Sequence, residues 1–109
     1  MENKEAISIL AALSQETRLD VFRLLVRAGQ EGMTAGAIGD ALGIPAATLS
    51  FHLKELKNAG TVRCHREGRS LIYRADFGTM TAFLGFLTEN CCRGVNGESS
   101  RTKKCGACC

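Results

Sequence analysis

The apolar residues of this chain recur at two different periods, and the switch between them outlines the fold. Over residues 4–13, Ala6, Ile9, Leu10 and Leu13 stand three and four apart, the spacing of a helix with one inward face. A second helical stripe of Leu19, Phe22, Leu25 and Val26 runs through QETRLDVFRLLVRAG, with Ser14 placed to cap it and Gly29 to end it. Thr34 is placed to cap a short helix, AGAIGDAL, that turns Ile38 and Leu42 inward. Gly43 then breaks the chain. Pro45 suits the first turn of the next helix, in which Leu49, Leu53 and Leu56 face inward until Gly60.

After Gly60 the period shortens to two. Val62 and Cys64 share one side of a first arm, Leu71 and Tyr73 lie in a second, and the intervening EGR predicts a β-hairpin with a tight turn. Helical spacing returns in FGTMTAFLGFLTENCC, where Met80, Phe83, Leu84 and Leu87 line up. That last helix carries more apolar surface than one small domain covers by itself, which predicts a dimer contact with the first helix as partner. The expected architecture is mainly α with a β-hairpin, a homodimeric winged helix-turn-helix in the order α-α-α-α-β-β-α. Residues 1–90 are expected to form this folded, dimerising domain, and residues 91–109 a flexible cysteine-rich tail.

Length and charge sharpen this picture. A chain of 109 residues supports a single domain with one modest core. Its apolar runs fall far short of the roughly 18 residues that a membrane span requires. The segment MENKEAISIL has neither the basic start nor the apolar stretch of a secretory signal, so a reducing cytoplasm is the expected location. The net charge of +3 is unevenly spread. Residues 45–74 hold Lys54, Lys57, Arg63, Arg66, Arg69 and Arg74 against Glu55 and Glu67 alone, whereas the remainder is slightly acidic. Such a stretch is either a solvated face or a phosphate-facing surface.

In a helix-turn-helix, the N-terminal half of the second helix meets base edges in the major groove. Here that half offers Ala46, Ala47, Thr48, Ser50, Phe51 and His52, followed by Lys54 and Lys57. The small residues permit close approach, the hydroxyls and imidazole reach bases or phosphates, and the lysines suit phosphates. Arg66 and Arg69 flank the tip of the hairpin. The expected DNA-binding set is therefore Thr48, Ser50, His52, Lys54, Lys57, Arg66 and Arg69. Taken singly, His52 and Phe51 also fit a buried helix face, and Ser50 a bond back to its own helix.

Three separated segments, LSQETRLDVFRLL, LGIPAATLSFHLKELKNAGTV and REGRSLIYRA, resemble the hallmark segments of the ArsR/SmtB family of metal-responsive repressors, and the likeness covers roughly residues 5–90. It implies a homodimeric winged-helix repressor that binds double-stranded operator DNA and leaves it when a metal or metalloid ion binds. The family's recognition-helix pattern falls on Ser50, His52, Leu53, Lys54 and Leu56. Its wing pattern falls on Arg66, Glu67, Gly68, Arg69 and Tyr73.

The resemblance also bears on the inducer. A cysteine cluster in the third helix, used by some members, has no counterpart in TAGAIGDALG. The family's zinc pattern on the last helix, laid on this chain, meets Asp76, Gly78, Glu89 and Cys92, so both histidines are missing. Five of the six cysteines lie in the last twenty residues. The arrangement most resembles the arsenite-responsive branch, with a vicinal thiol pair after TEN. This implies Cys91 and Cys92 as ligands, with Cys105 as the third and Cys108 or Cys109 as alternatives. Three soft thiolates without imidazole suit trivalent arsenic or antimony, and a fourth ligand from the tail would suit zinc or cadmium. The twelve polar residues from Arg93 to Lys104 span roughly 20 Å as a flexible coil. Closure within one subunit or across two is therefore open.

The same thiols fit other classes of function. Cys105 and Cys108 have the Cys-x-x-Cys spacing of a redox switch, and a thiol metal carrier would use the same tail. Cys64, alone in an alternating strand, reads as a packed residue. As the nucleophile of a Cys-x5-Arg phosphate loop it would need arginine one position beyond Arg69, so no enzyme is expected.

Overall fold

In the computed structural model, which describes residues 1–95, helices and strands follow the expected order with one addition. The elements are α1 (Asn3–Leu13), α2 (Glu16–Ala28), a 3-10 turn (Gly29–Glu31), β1 (Met33–Thr34), α3 (Ala35–Leu42), α4 (Ala46–Asn58), β2 (Val62–Glu67), β3 (Ser70–Ala75) and α5 (Phe77–Leu87). Cys105, Cys108 and Cys109 lie outside the described residues. So does the tail expected from residue 91 onward, apart from its first five positions.

Local chemistry sets the boundaries. At α1, Glu2 and Glu5 form a reciprocal capping box, the Glu2 amide donating to Glu5 Oε1 at 2.8 Å. The cap of α2 is Gln15 rather than Ser14: the Arg18 amide donates to Gln15 Oε1 at 2.9 Å, while the Ser14 hydroxyl turns back to the Ala11 carbonyl. Thr34 caps α3 as expected, accepting from the Ala37 amide at 3.1 Å. Gly43 closes α3 in the left-handed conformation, φ 69° and ψ 36°, which costs a residue without Cβ almost nothing. Pro45, extended at ψ 147°, is the cap residue just ahead of α4.

The unpredicted element is β1, which pairs antiparallel with β3 and makes the hairpin a three-stranded sheet of order β1-β3-β2. Gly32 permits it. A Cβ on Gly32 would stand 2.5 Å from the Tyr73 carbonyl oxygen, and its φ of 69° also disfavours any side chain. Two residues held only by a distant strand leave no periodic trace.

One core joins α2, α3, α4 and the sheet through Val21, Phe22, Leu25, Ile38, Leu49, Leu53, Leu56, Val62 and Ala75. On α2 the buried face centres on Val21 and Leu25, so Leu19 and Val26, expected inside, are exposed. A second cluster packs Ala6 and Ile9 of α1 against Phe83 of α5. Leu10, expected inside, is instead 50% exposed, beside Ile7 at 63%. On α5, Leu84 and Leu87 are 57% and 53% exposed. The two terminal helices thus bury one side on each other and leave further leucine and isoleucine surface to solvent.

Asp76 holds the start of α5: its Oδ1 accepts from the Thr79 amide at 3.0 Å, and its Oδ2 lies 3.6 Å from Arg63 Nε. The Arg63 side chain is largely exposed, so the cap dominates. Asp76→Ala is expected to lower stability by about 1 kcal/mol in urea unfolding, close to the usual value of a lost cap.

Candidate nucleic-acid interface and thiol pair

A helix advances about 100° per residue, so Leu49, His52, Leu53 and Leu56 share one side of α4. All four are buried. Thr48, Ser50, Phe51, Lys54 and Lys57 are exposed on the remainder of the helix. His52 is the expected DNA-facing residue that the structure turns inward. It is 8% exposed, and its Nδ1 lies 3.3 Å from Arg18 Nη1. A guanidinium only donates, so Nδ1 accepts and the ring proton sits on Nε2.

Arg18 serves a second element as well, its Nε donating to the Ala12 carbonyl at 2.7 Å. One side chain on α2 therefore joins the end of α1 to the middle of α4. In the sequence Arg18 is one charged residue among several on an amphipathic helix, and nothing in the spacing marks it.

The wing is built by β2 and β3 in continuous register from Val62↔Ala75 to Glu67↔Ser70. Gly68 and Arg69 form its two-residue turn, with Gly68 at φ 61°, the left-handed value that primed hairpin turns need. Of the six cations in the basic segment, two are tied to the body of the protein. Arg63 pairs with Asp76, and Arg74 donates to Gln30 Oε1 at 3.5 Å. Lys54, Lys57, Arg66 and Arg69 are exposed. The recognition helix and the wing tip thus carry the remaining positive charge of the segment.

Cys64 is half-buried in β2, directly opposite Tyr73 on β3. Burial pushes the Tyr73 phenol above its ordinary value of 10.0, and the neighbouring Cys64 thiol adds to the rise. Each group is the other's cross-strand partner, which agrees with a packing role for this thiol.

Cys91 and Cys92 do not sit on the last helix, where the sequence pattern places them. α5 ends at Leu87, where Thr88 returns both its amide and its hydroxyl to the Leu84 carbonyl, at 3.3 and 3.1 Å. The Cys91 amide then donates to the Thr88 carbonyl at 3.1 Å in a tight turn. Asn90 and Cys92 both adopt left-handed φ, 61° and 63°, values that asparagine tolerates and cysteine seldom takes. The two sulfurs of this turn stand 3.0 Å apart, and both residues are exposed. Among the described residues no group of three or more His, Cys, Asp or Glu side chains is arranged to hold a metal ion. Cys91 carries a free thiol, and the Cys92 sulfur stands beside it. Asp76, at the far end of α5, is engaged by Thr79 and Arg63. No helix among the described residues is long and apolar enough to cross a membrane.

Comparison with known proteins converges on one group. A helix-turn-helix domain family matches residues 13–65. The uncharacterized HTH-type transcriptional regulator YceK of Bacillus subtilis is 34% identical over 80 residues, covering 72% of this chain and 79% of that protein. Among solved structures, an ArsR-like transcriptional regulator from Rhodococcus sp. RHA1 superposes with a TM-score of 0.70 at 28% identity, covering 77% of this chain and 76% of that one. The homodimeric winged helix-turn-helix DNA-binding domain of a possible ArsR-family regulator from Mycobacterium bovis gives a TM-score of 0.63 at 28% identity, with 80% and 81% covered. These relatives are transcriptional regulators, not enzymes.

Proposed function

We propose, for a chain that belongs to the helix-turn-helix transcriptional regulators of the ArsR family, that it is a cytoplasmic homodimeric repressor released from operator DNA by trivalent arsenic or antimony. The observation that carries the inducer is the exposed pair of sulfurs 3.0 Å apart, directly after α5. Soft thiolates select soft, thiophilic centres. Arsenite exchanges its three hydroxyls for sulfurs, each hydroxyl leaving as water with a thiol proton, so Cys91 and Cys92 supply two bonds and Cys105, or else Cys108 or Cys109, the third. Antimonite would bind in the same way.

The exposed Ile7, Leu10, Leu84 and Leu87 supply a symmetric dimer contact between α1 and α5 of two subunits. From there a continuous set of contacts leads inward. Phe83 packs on Ala6 and Ile9, and Arg18 joins the Ala12 carbonyl to His52 on the recognition helix. Binding at the end of α5 would thus shift the setting of the two recognition helices. A coupling of about 1–3 kcal/mol weakens DNA binding roughly 5- to 150-fold.

Two measurements test this reading. Equilibrium dialysis of the fully reduced chain is expected to give one arsenic per subunit. Zinc or cadmium bound in preference, or no arsenic at all, would favour a zinc/cadmium or thiol-redox inducer on the same fold, or a metal carrier. On the DNA side, Arg66→Ala with Arg69→Ala is expected to weaken binding to all duplexes alike. The slope of log K against log salt should fall by about 4, one unit for each phosphate that the two wings of the dimer no longer neutralise.

A further inference from the structure

The outward side of α4 carries an aromatic ring that the fold does not use. Phe51 is 55% exposed and belongs to neither apolar cluster of the core. It lies on the side opposite Leu49 and Leu56, one turn after Ala47 and just before Lys54, all three exposed. Its ring meets the imidazole of His52 edge to face, with centroids 5.6 Å apart and planes at 62°. His52 is itself buried and held by Arg18, so the exposed ring leans on a fixed support.

We propose that Phe51, with Ala47 beside it, reads thymine by contact with its 5-methyl group in the major groove. The inference rests on the DNA-binding reading above and adds to it the chemistry of base choice. The hydrogen-bonding side chains around the ring, Thr48, Ser50 and Lys54, reach base edges or phosphates. Neither Ser50 nor Lys54 distinguishes thymine through its methyl group, the apolar feature of the major groove that alanine, phenylalanine and the threonine methyl can contact, and of these the Phe51 ring presents the largest exposed apolar surface. Lys54 and Lys57 on the same helix, and Arg66 and Arg69 on the wing, supply the positive charge that brings such a duplex against the ring. A ring left in water on a helix that faces DNA gains by covering that methyl.

The test uses the full chain and the tightest duplex selected from a random library, in which thymines are replaced one at a time by deoxyuridine. This exchange removes a methyl and leaves every hydrogen bond. Wild type is expected to lose about fourfold in affinity at one thymine of each half-site, the factor that burying a CH2-sized group contributes. Exchange in both half-sites should cost about fifteenfold. Phe51→Ala is expected to bind the thymine and deoxyuridine duplexes equally, to keep its affinity for an unrelated duplex within about twofold, and to melt at the wild-type temperature. No thymine whose exchange matters, the same loss in Phe51→Ala, or a collapse of its melting temperature would each overturn the inference. Failure of wild type to bind any selected duplex would instead remove the DNA-binding reading, and this inference with it.

Discussion

Leu84→Asp with Leu87→Asp is expected to convert the dimer to a monomer and to reduce operator affinity by about a hundredfold or more. Both leucines are more than half exposed, whereas Phe83 keeps α5 fastened to α1 from the other side. The substitutions would therefore act on the proposed contact between subunits and leave the fold of each in place. A symmetric interface contains both leucines twice. Each leucine has only a little more than half of its surface left to bury, so at about 1.5–3 kcal/mol for a full burial the four together account for roughly 3–6 kcal/mol. Burying aspartate there instead adds the cost of desolvating a charge. DNA binding would suffer because in the proposed dimer two linked winged helices engage two half-sites, and loss of the linkage forfeits an avidity of about 10²–10⁴. Sedimentation equilibrium reads the mass, circular dichroism the fold, and fluorescence anisotropy the affinity. A variant that remains dimeric would show that α5 is not the interface.

The second large effect is expected from Cys91→Ser with Cys92→Ser, which should abolish the arsenite response while leaving DNA affinity unchanged. Both residues lie beyond α5 in an exposed turn, remote in the chain from the recognition helix and wing. Serine preserves size and hydrogen bonding but supplies a hard oxygen that does not hold a soft metalloid. The predicted result is complete loss of the response. DNA binding that remains fully sensitive to arsenite in this variant would move the inducer site elsewhere. Single replacement of Cys105, Cys108 or Cys109 then identifies the third ligand by the same readout.

Much of this fold is written in local signals. Thr34, Gly43 and Pro45 bracket the helix-turn-helix, and Gly68 marks the wing turn, because each acts through its own backbone conformation or its nearest amides. What the spacing misplaces depends on partners far along the chain. β1 exists because Gly32 lets the strand lie against Tyr73, some forty residues later. Leu10, Leu19 and Val26 fit a helical stripe as well as their buried neighbours do, and only the packing of α1 and α2 on other elements selects the face. His52 fits among the DNA-facing residues by spacing because histidine suits either role, and Arg18 on another helix is what draws it inward. The thiol pair is legible as a pair. Its position past the helix is not, since TENCC holds neither glycine nor proline, and the helix stops through the Thr88 hydroxyl and a left-handed Asn90.

In the proposed mechanism, thiols after α5 would control a recognition helix that they do not touch. The most direct test is fluorescence anisotropy of the reduced full-length chain bound to labelled DNA from its own promoter, titrated with arsenite in excess reductant. Release at low micromolar arsenite, with affinity falling roughly 5- to 150-fold as a coupling of about 1–3 kcal/mol requires, is the predicted result. Arsenic bound at one per subunit while the protein stays on the DNA would contradict it.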